Sequence, residues 1–222
     1  MQDSPLVISN VVILQYAAGE LYVTLASVGE TSSTKQTWHL PSAQIGRNQT
    51  SIESLEKGLR ATLGLQDRDI SYREQLYTSE FTSPAHSTIC ISYLYLSSGT
   101  HWFKGSHQVG TFPVSKLPRL SSADSKMIQY ALDRLHAKAL YSTIIRFLVP
   151  DRFNLTELQL AFETLTRQSV DRRNFRKKIL TLNILQEYRT KQPASSTSPA
   201  LYSFTGSALQ LFEKPFNQSR SK

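Results

Sequence analysis

The apolar residues of this chain change their period near Ser122, from strand-like alternation to helical spacing, and that switch constrains the fold more than any single motif. Before it, "LVISNVVILQY" and "GELYVTLASV" flank an Ala-Ala-Gly-Glu turn and predict a hairpin, with Tyr22, Thr24 and Ala26 facing away from Leu21, Val23 and Leu25. "TWHLPSA" reads as a strand ending at Pro41. "SIESLEKGLRATLGL" spaces Ile52, Leu55, Leu59 and Leu63 as a helix would, with Gly64 as its C-cap. Strands follow in "REQLYTSEF", "TICISYLYL" and "GTFPV", so single helices interrupt a set of strands, the pattern of an α/β or α+β domain.

After Ser122, Met127, Ile128, Ala131, Leu132, Leu135, Ile144, Ile145 and Leu148 keep one apolar stripe as far as Pro150, which predicts a long helix bridging two domains. In "FNLTELQLAFETL", Asn154 is an N-cap, Glu157 stands three later as in a capping box, and Phe153 can staple onto Leu158. Leu155, Leu158, Phe162 and Leu165 form the stripe of that helix. The turn "TRQSV" leads to "VDRRNFRKKIL", where Asp171 is the next N-cap. Phe175, Ile179 and Leu182 fall on one side of this helix and must meet a core, which turns Arg173, Arg176 and Lys177 outward. "ILQEY" and "ALYSF" read as two short strands around the polar, basic tip "RTKQPASSTSP". Two helices, a short turn, a basic second helix and a hairpin make a winged helix-turn-helix. From Gly206 onward periodicity fades, and a flexible tail is expected. The expected boundaries are 1–120 for the first domain, 121–149 for the bridging helix, 150–206 for the winged helix and 207–222 for the tail.

Charge follows the same division. The formal net charge is +8, of which residues 1–150 carry +2 and residues 151–222 carry +6. A concentrated cationic region favours a polyanionic partner, whereas spread charge mainly aids solubility. Other partners and compartments have little support. The one cysteine, Cys90, sits in an apolar run, so an intrachain disulfide or a thiol metal cluster is excluded. "MQDSPLVISN" does not resemble a signal peptide, and no apolar span approaches about 18 residues, so a cytoplasmic protein without membrane contact is expected.

No motif supports a conventional active site: Gly-x-Ser-x-Gly, a Gly-rich phosphate loop and His-Glu-x-x-His are all missing. His101 and His107 form a loop pair without a carboxylate or Cys at ligand spacing. Glu53 and Glu56 could share a helix face and bind a hard cation, but Lys57 and Arg60 offset them, and ordinary surface charge is the simpler account. Tyr72, Tyr77, Tyr93 and Tyr95 could stack on a base; their places on alternating strands favour sheet packing for at least Tyr93 or Tyr95. The expectation is a protein that is not an enzyme, with no catalytic residue, metal or cofactor. A run of charge alone usually marks a solvated face. Here the whole outward face is cationic, a capped helix precedes it at helix-turn-helix spacing and a wing follows, and Arg suits bidentate contact with guanine or phosphate.

The segment "ALDRLHAKALYSTIIRFLVPDRFNLTELQLAFETLTRQSVDRRNFRKKIL", above all "FNLTELQ" and "DRRNFRKKIL", resembles the winged-helix domain of the NrtR family, Nudix-related transcriptional regulators of NAD metabolism. "ALYSF" matches that family's closing strand. Upstream, "WHLPSA", "SLEKGLRATLGL", "EQLYT", "ISYLYL" and "FPVSKLP" resemble its Nudix-like domain, more weakly. The resemblance implies an α+β chain: an N-terminal Nudix-like α/β/α sandwich with a mixed sheet, then a C-terminal winged helix. It further implies a homodimeric repressor of NAD biosynthesis or salvage genes, bound to double-stranded operator DNA and governed by ADP-ribose or a related nucleotide. Expected DNA contacts are Arg172, Arg173, Asn174, Arg176, Lys177 and Lys178, with Thr156 on the preceding helix and Arg189 and Lys191 in the wing. Trp38, Arg60, Arg73, Gln75 and Tyr77 are the candidate effector residues.

A working Nudix box holds Mg²⁺ with clustered carboxylates on one helix face. Here the Gly-Gly position reads Ser42-Ala43, and no Glu follows Arg60 in "RATL", so hydrolysis is not expected. Two alternatives remain: a Nudix-like regulator of pentose use, and an active ADP-ribose pyrophosphohydrolase with an added basic domain.

Overall fold

The computed structural model describes residues 5–28, 37–82, 87–98, 109–188 and 199–216. The chain divides into two compact units, Met1–Ala17 with Leu21–Ala131, and Ala18–Glu20 with Leu132–Lys222. The division falls within a helix, eleven residues past the boundary expected at 120.

The first unit is built on a mixed sheet. Strands β1 (Leu6–Ala17) and β2 (Glu20–Val28) are joined at Ala18 and Gly19, both with positive φ (49° and 84°), the backbone that a two-residue hairpin needs to follow strand twist. β3 (Thr37–His39) pairs with β2, and β4 (Ser42–Gln44) pairs with β1; Pro41 lies in the break between them. β5 (Tyr72–Thr82), β6 (Ser87–Ser97) and β7 (Val109–Pro113) complete a sheet ordered β3-β2-β1-β6-β5, with β7 on β2. β1 and β6 are parallel from Leu6↔Thr88 to Gln15↔Ser97, while β4 on β1, β3 and β7 on β2, and β5 on β6 are antiparallel. A strand buried on both faces has no polar side to show, and the unbroken runs Val11–Leu14 and Leu94–Leu96 are indeed inaccessible.

Helix α1 (Ser51–Leu63) covers one face of this sheet. Thr50 caps it in a reciprocal box: Thr50 Oγ1 accepts from the Glu53 amide at 3.2 Å, and the Glu53 carboxylate accepts from the Thr50 amide at 2.7 Å. Gly64 ends it in the left-handed region at φ 65°, as the sequence predicts. Leu55, Leu59 and Leu63 pack on Val11, Ile13, Tyr93 and Tyr95, so these two tyrosines are core, and the Tyr93 hydroxyl meets Ser51 Oγ at 2.5 Å.

The expected bridging helix over 121–149 is shorter than its apolar stripe. Helix α2 runs Ser122–Tyr141, then breaks, and Ile144–Phe147 form a single 3₁₀ turn. Ser142 Oγ bonds back to the Lys138 carbonyl at 2.7 Å, and the Thr143 amide donates to the Gln210 carbonyl at 2.9 Å. A partner 67 residues away takes the amide that would continue the helix. Downstream lie α3 (Leu155–Thr166), α4 (Arg172–Thr181), and the antiparallel pair β8 (Leu185–Tyr188) and β9 (Leu201–Phe204). The tail expected from 207 is held down as far as Phe216, whose side chain is buried. Aromatic residues spaced four apart, Phe212 and Phe216, anchor it where composition suggested only a polar end.

Candidate nucleic-acid interface

In the second unit, side chains of α3 set where α4 begins. Asn154 caps α3, its Oδ1 accepting from the amides of Thr156 (2.9 Å) and Glu157 (3.0 Å), while Glu157 returns a bond to the Asn154 amide at 2.8 Å. Leu158, Ala161, Phe162 and Leu165 are buried along its inner face. Arg167 closes the helix in the left-handed region. The following turn is then tied down: Glu163 accepts from the Val170 amide at 2.9 Å, and Gln159 donates to the Val170 carbonyl at 2.9 Å. Asp171 caps α4 through the Asn174 amide at 2.9 Å.

The faces of α4 separate as the helical period requires. Phe175 and Ile179 are buried, Phe175 against Phe162 with ring centroids 5.5 Å apart. Arg172, Arg173, Asn174, Arg176 and Lys177 are exposed, and among the described residues no ion pair engages these four cations. Their charge is therefore free to meet an external anion. Lys178 departs from this group: it is half-buried, donates to the Pro215 carbonyl at 3.4 Å and lies 4.9 Å above the Phe216 ring. Burial holds its ammonium below the usual lysine range. Thr156 is exposed in the first turn of α3; Arg189 and Lys191, expected in the wing, lie outside the described residues.

The structure adds Arg152, which sequence reading passed over. It is exposed two residues before the α3 cap, and its guanidinium stacks 3.9 Å from the Tyr188 ring centroid at the wing end of β8. Phe153 bridges to Tyr202 on β9, which brings Arg152 to the wing. No local pattern joins residues 36 apart, so the sequence carries no signal for this contact.

Each of the five candidate effector residues has a partner within the first unit. Trp38 packs edge-on against Phe112 at 4.8 Å, Gln75 donates to Thr78 at 3.1 Å, and Tyr77 lies against Tyr130 at 5.3 Å. Arg60 and Arg73 share two carboxylates of the same unit. Arg60 reaches Asp67 at 2.9 Å and Glu56 at 3.5 Å; Arg73 reaches Glu56 at 3.0 Å and Asp67 at 3.6 Å. The Arg60 bond keeps Asp67 below the usual aspartate range, and burial with the neighbouring Glu56 charge pushes the Tyr95 hydroxyl up. Glu53 accepts from the cap amide of α1, and Glu56 meets both arginines. Among the described residues no three His, Cys, Asp or Glu stand together as metal ligands.

A capped helix pair, an outward cationic second helix and a two-stranded wing define a winged helix-turn-helix domain, here following a Nudix-like mixed-sheet domain. Residues 145–204 match the family model of the NrtR DNA-binding winged helix domain. The fold is similar to that of Shewanella oneidensis NrtR (22% identity, TM-score 0.75, covering 95% of this chain and 99% of that one). The same protein complexed with a 27mer DNA aligns at 22% identity and TM-score 0.76 over 94% of this chain and 98% of that one. A MutT/nudix family protein from Enterococcus faecalis aligns at 17% identity and TM-score 0.67, covering 92% and 89%. No curated protein matches the sequence. Among the described residues no helix is long and apolar enough to cross a membrane.

Proposed function

We propose that this protein is a DNA-binding transcriptional regulator whose α4 enters the major groove of an operator. The observation that carries the reading is the unpaired cationic face of α4, held between a capped α3 and a wing in an NrtR-type domain. The structural relative that was solved with a 27mer DNA supports it. Arg172, Arg173, Arg176 and Lys177 contact phosphates and base edges, Asn174 a base edge, and Thr156, Arg152, Arg189 and Lys191 the flanking backbone. The protein acts as a homodimer on a two-fold site with half-sites about 34–36 Å apart, and represses genes of NAD synthesis or salvage. Its first domain senses ADP-ribose or a related nucleotide without hydrolysing it, a reading supported by the Nudix-like fold and by the committed carboxylates of α1. Effector binding favours one dimer geometry through unequal affinity for two states.

Fluorescence anisotropy with a labelled mixed-sequence duplex, titrated with salt, tests the interface. Arg173→Ala combined with Lys177→Ala should weaken binding and flatten the slope of log affinity on log salt by about 0.9 per lost phosphate contact. An unchanged slope removes α4 from the interface. Thermal-shift measurement with ADP-ribose, NAD and pentoses separates the sensor readings, since a ligand of the native state raises Tm. Release of AMP from ADP-ribose with Mg²⁺ would instead make the first domain an enzyme.

A further inference from the structure

The family match ends at Phe204, and the chain then turns back across the second unit. Arg146 clamps the turn: its guanidinium donates to the carbonyls of Thr205 (3.2 Å), Ala208 (3.0 Å) and Gly206, and lies 5.5 Å from the Phe204 ring. The next residues run beside the end of α2. Gln210 exchanges bonds with Thr143, the Phe212 amide donates to Tyr141 at 2.7 Å, and the Phe216 amide donates to Leu140 at 2.6 Å. Phe216 then enters the core as the third member of a ring cluster, 4.5 Å from Phe162 and 5.4 Å from Phe175. The inner face of α4 thus has two supports, α3 through Phe162 and this segment through Phe216.

We propose that residues 205–216 are a strap that sets the seating of α4, that Phe216 is a positioning residue for DNA reading, and that Lys178 is a ligand of the strap and not a phosphate contact. Seating matters because a helix must present several side chains to a groove at once, and burial of Phe175 against two rings leaves α4 little freedom to roll. Lys178 reinforces this from the helix side. Its ammonium meets the Pro215 carbonyl and the Phe216 face, so the one cation of α4 that is not fully exposed holds the strap. Arg146 and Lys178 therefore add to the net positive charge of this region while being occupied within the chain.

The DNA part of this proposal rests on the regulator reading; the hold of the strap on α4 does not, and is measured without DNA. Hydrogen exchange on the full-length protein should show faster exchange of the Phe175 and Ile179 amides in Phe216→Ala, and wild-type rates in Leu211→Ala, whose side chain is 70% exposed. Phe216→Leu, which keeps an apolar plug, should restore slow exchange. Equal rates in wild type and Phe216→Ala would overturn the strap. On a duplex selected from a random library with the full chain, Phe216→Ala should bind about tenfold more weakly with an unchanged salt slope. Lys177→Met should flatten the slope by about 0.9, and Lys178→Met should leave it as in wild type. A slope lowered equally by both lysine changes overturns the assignment of Lys178, and undiminished affinity in Phe216→Ala overturns the positioning role. If the wild-type chain selects no duplex, the regulator reading fails, while the exchange rates still decide the strap.

Discussion

Arg60 and Arg73 in the first unit and Arg172, Arg173, Arg176 and Lys177 on α4 are alike in the sequence and opposite in the structure. The first pair shares Glu56 and Asp67, at 2.9 to 3.6 Å, and is electrically closed. The second group faces outward from a helix whose capping Asp171 is engaged with the Asn174 amide. An external phosphate gains from a cation only what an internal carboxylate has not already taken. Availability, more than number, makes a cationic cluster an anion site, and Lys178 and Arg146 make the same point with carbonyls as the internal acceptors.

The largest expected effect compares the two groups directly. Removing Arg173 and Lys177 together should cut the salt slope of DNA binding by about 2 units, whereas Arg60→Ala with Arg73→Ala should leave it unchanged. A loss of slope in the second variant would mean that the first unit also meets DNA. Next in size is the stability of the first unit. Arg73→Ala leaves Glu56, whose side chain is only 19% exposed, without its nearer partner, and should lower the urea midpoint by the equivalent of about 1–2 kcal/mol. No change would show that this closed cluster is energetically idle. Asn154→Ala removes the acceptor for two amides at the start of α3 and should cost about 1 kcal/mol, read as earlier unfolding of the second unit.

The smallest effect is one of pH. Asp67 is held low by the Arg60 hydrogen bond and charge, so its contribution is fully present above the unfolded carboxyl range, about pH 4, and is lost as pH falls through the lower folded value. Because Asp67 is exposed, salt screens the pair, and the contribution is small. Thermal unfolding between pH 6 and pH 2 should show a slightly shallower decline for Asp67→Asn than for wild type. An identical decline would mean that the Arg60 contact does not stabilise the fold.

Much of the candidate interface was legible because it is written in short range. Asn154 with Glu157, Asp171, and the spacing of Phe175 and Ile179 each lie within a few residues of what they control, and the periods of helix and strand do the rest. The residues "DRRNFRKKIL" further carried the family resemblance that the match over 145–204 bears out. For Lys178 the neighbours on the helix predict an outward cation, whereas the Pro215 carbonyl that it meets is 37 residues away. The break after Tyr141, where the Thr143 amide goes to Gln210, and the stack of Arg152 on Tyr188 have the same cause.

By itself the sequence determined the kinds of element, the order of the two domains, and which face of each helix is apolar, since alternation and helical period are properties of neighbours along the chain. Only the tertiary structure decided that β1 lies parallel to β6 across some eighty residues, that α2 stops at Tyr141, and which arginines and lysines keep a free charge. Those outcomes depend on partners brought together by folding, and no spacing along the chain encodes the distance between two groups that meet only when the core closes.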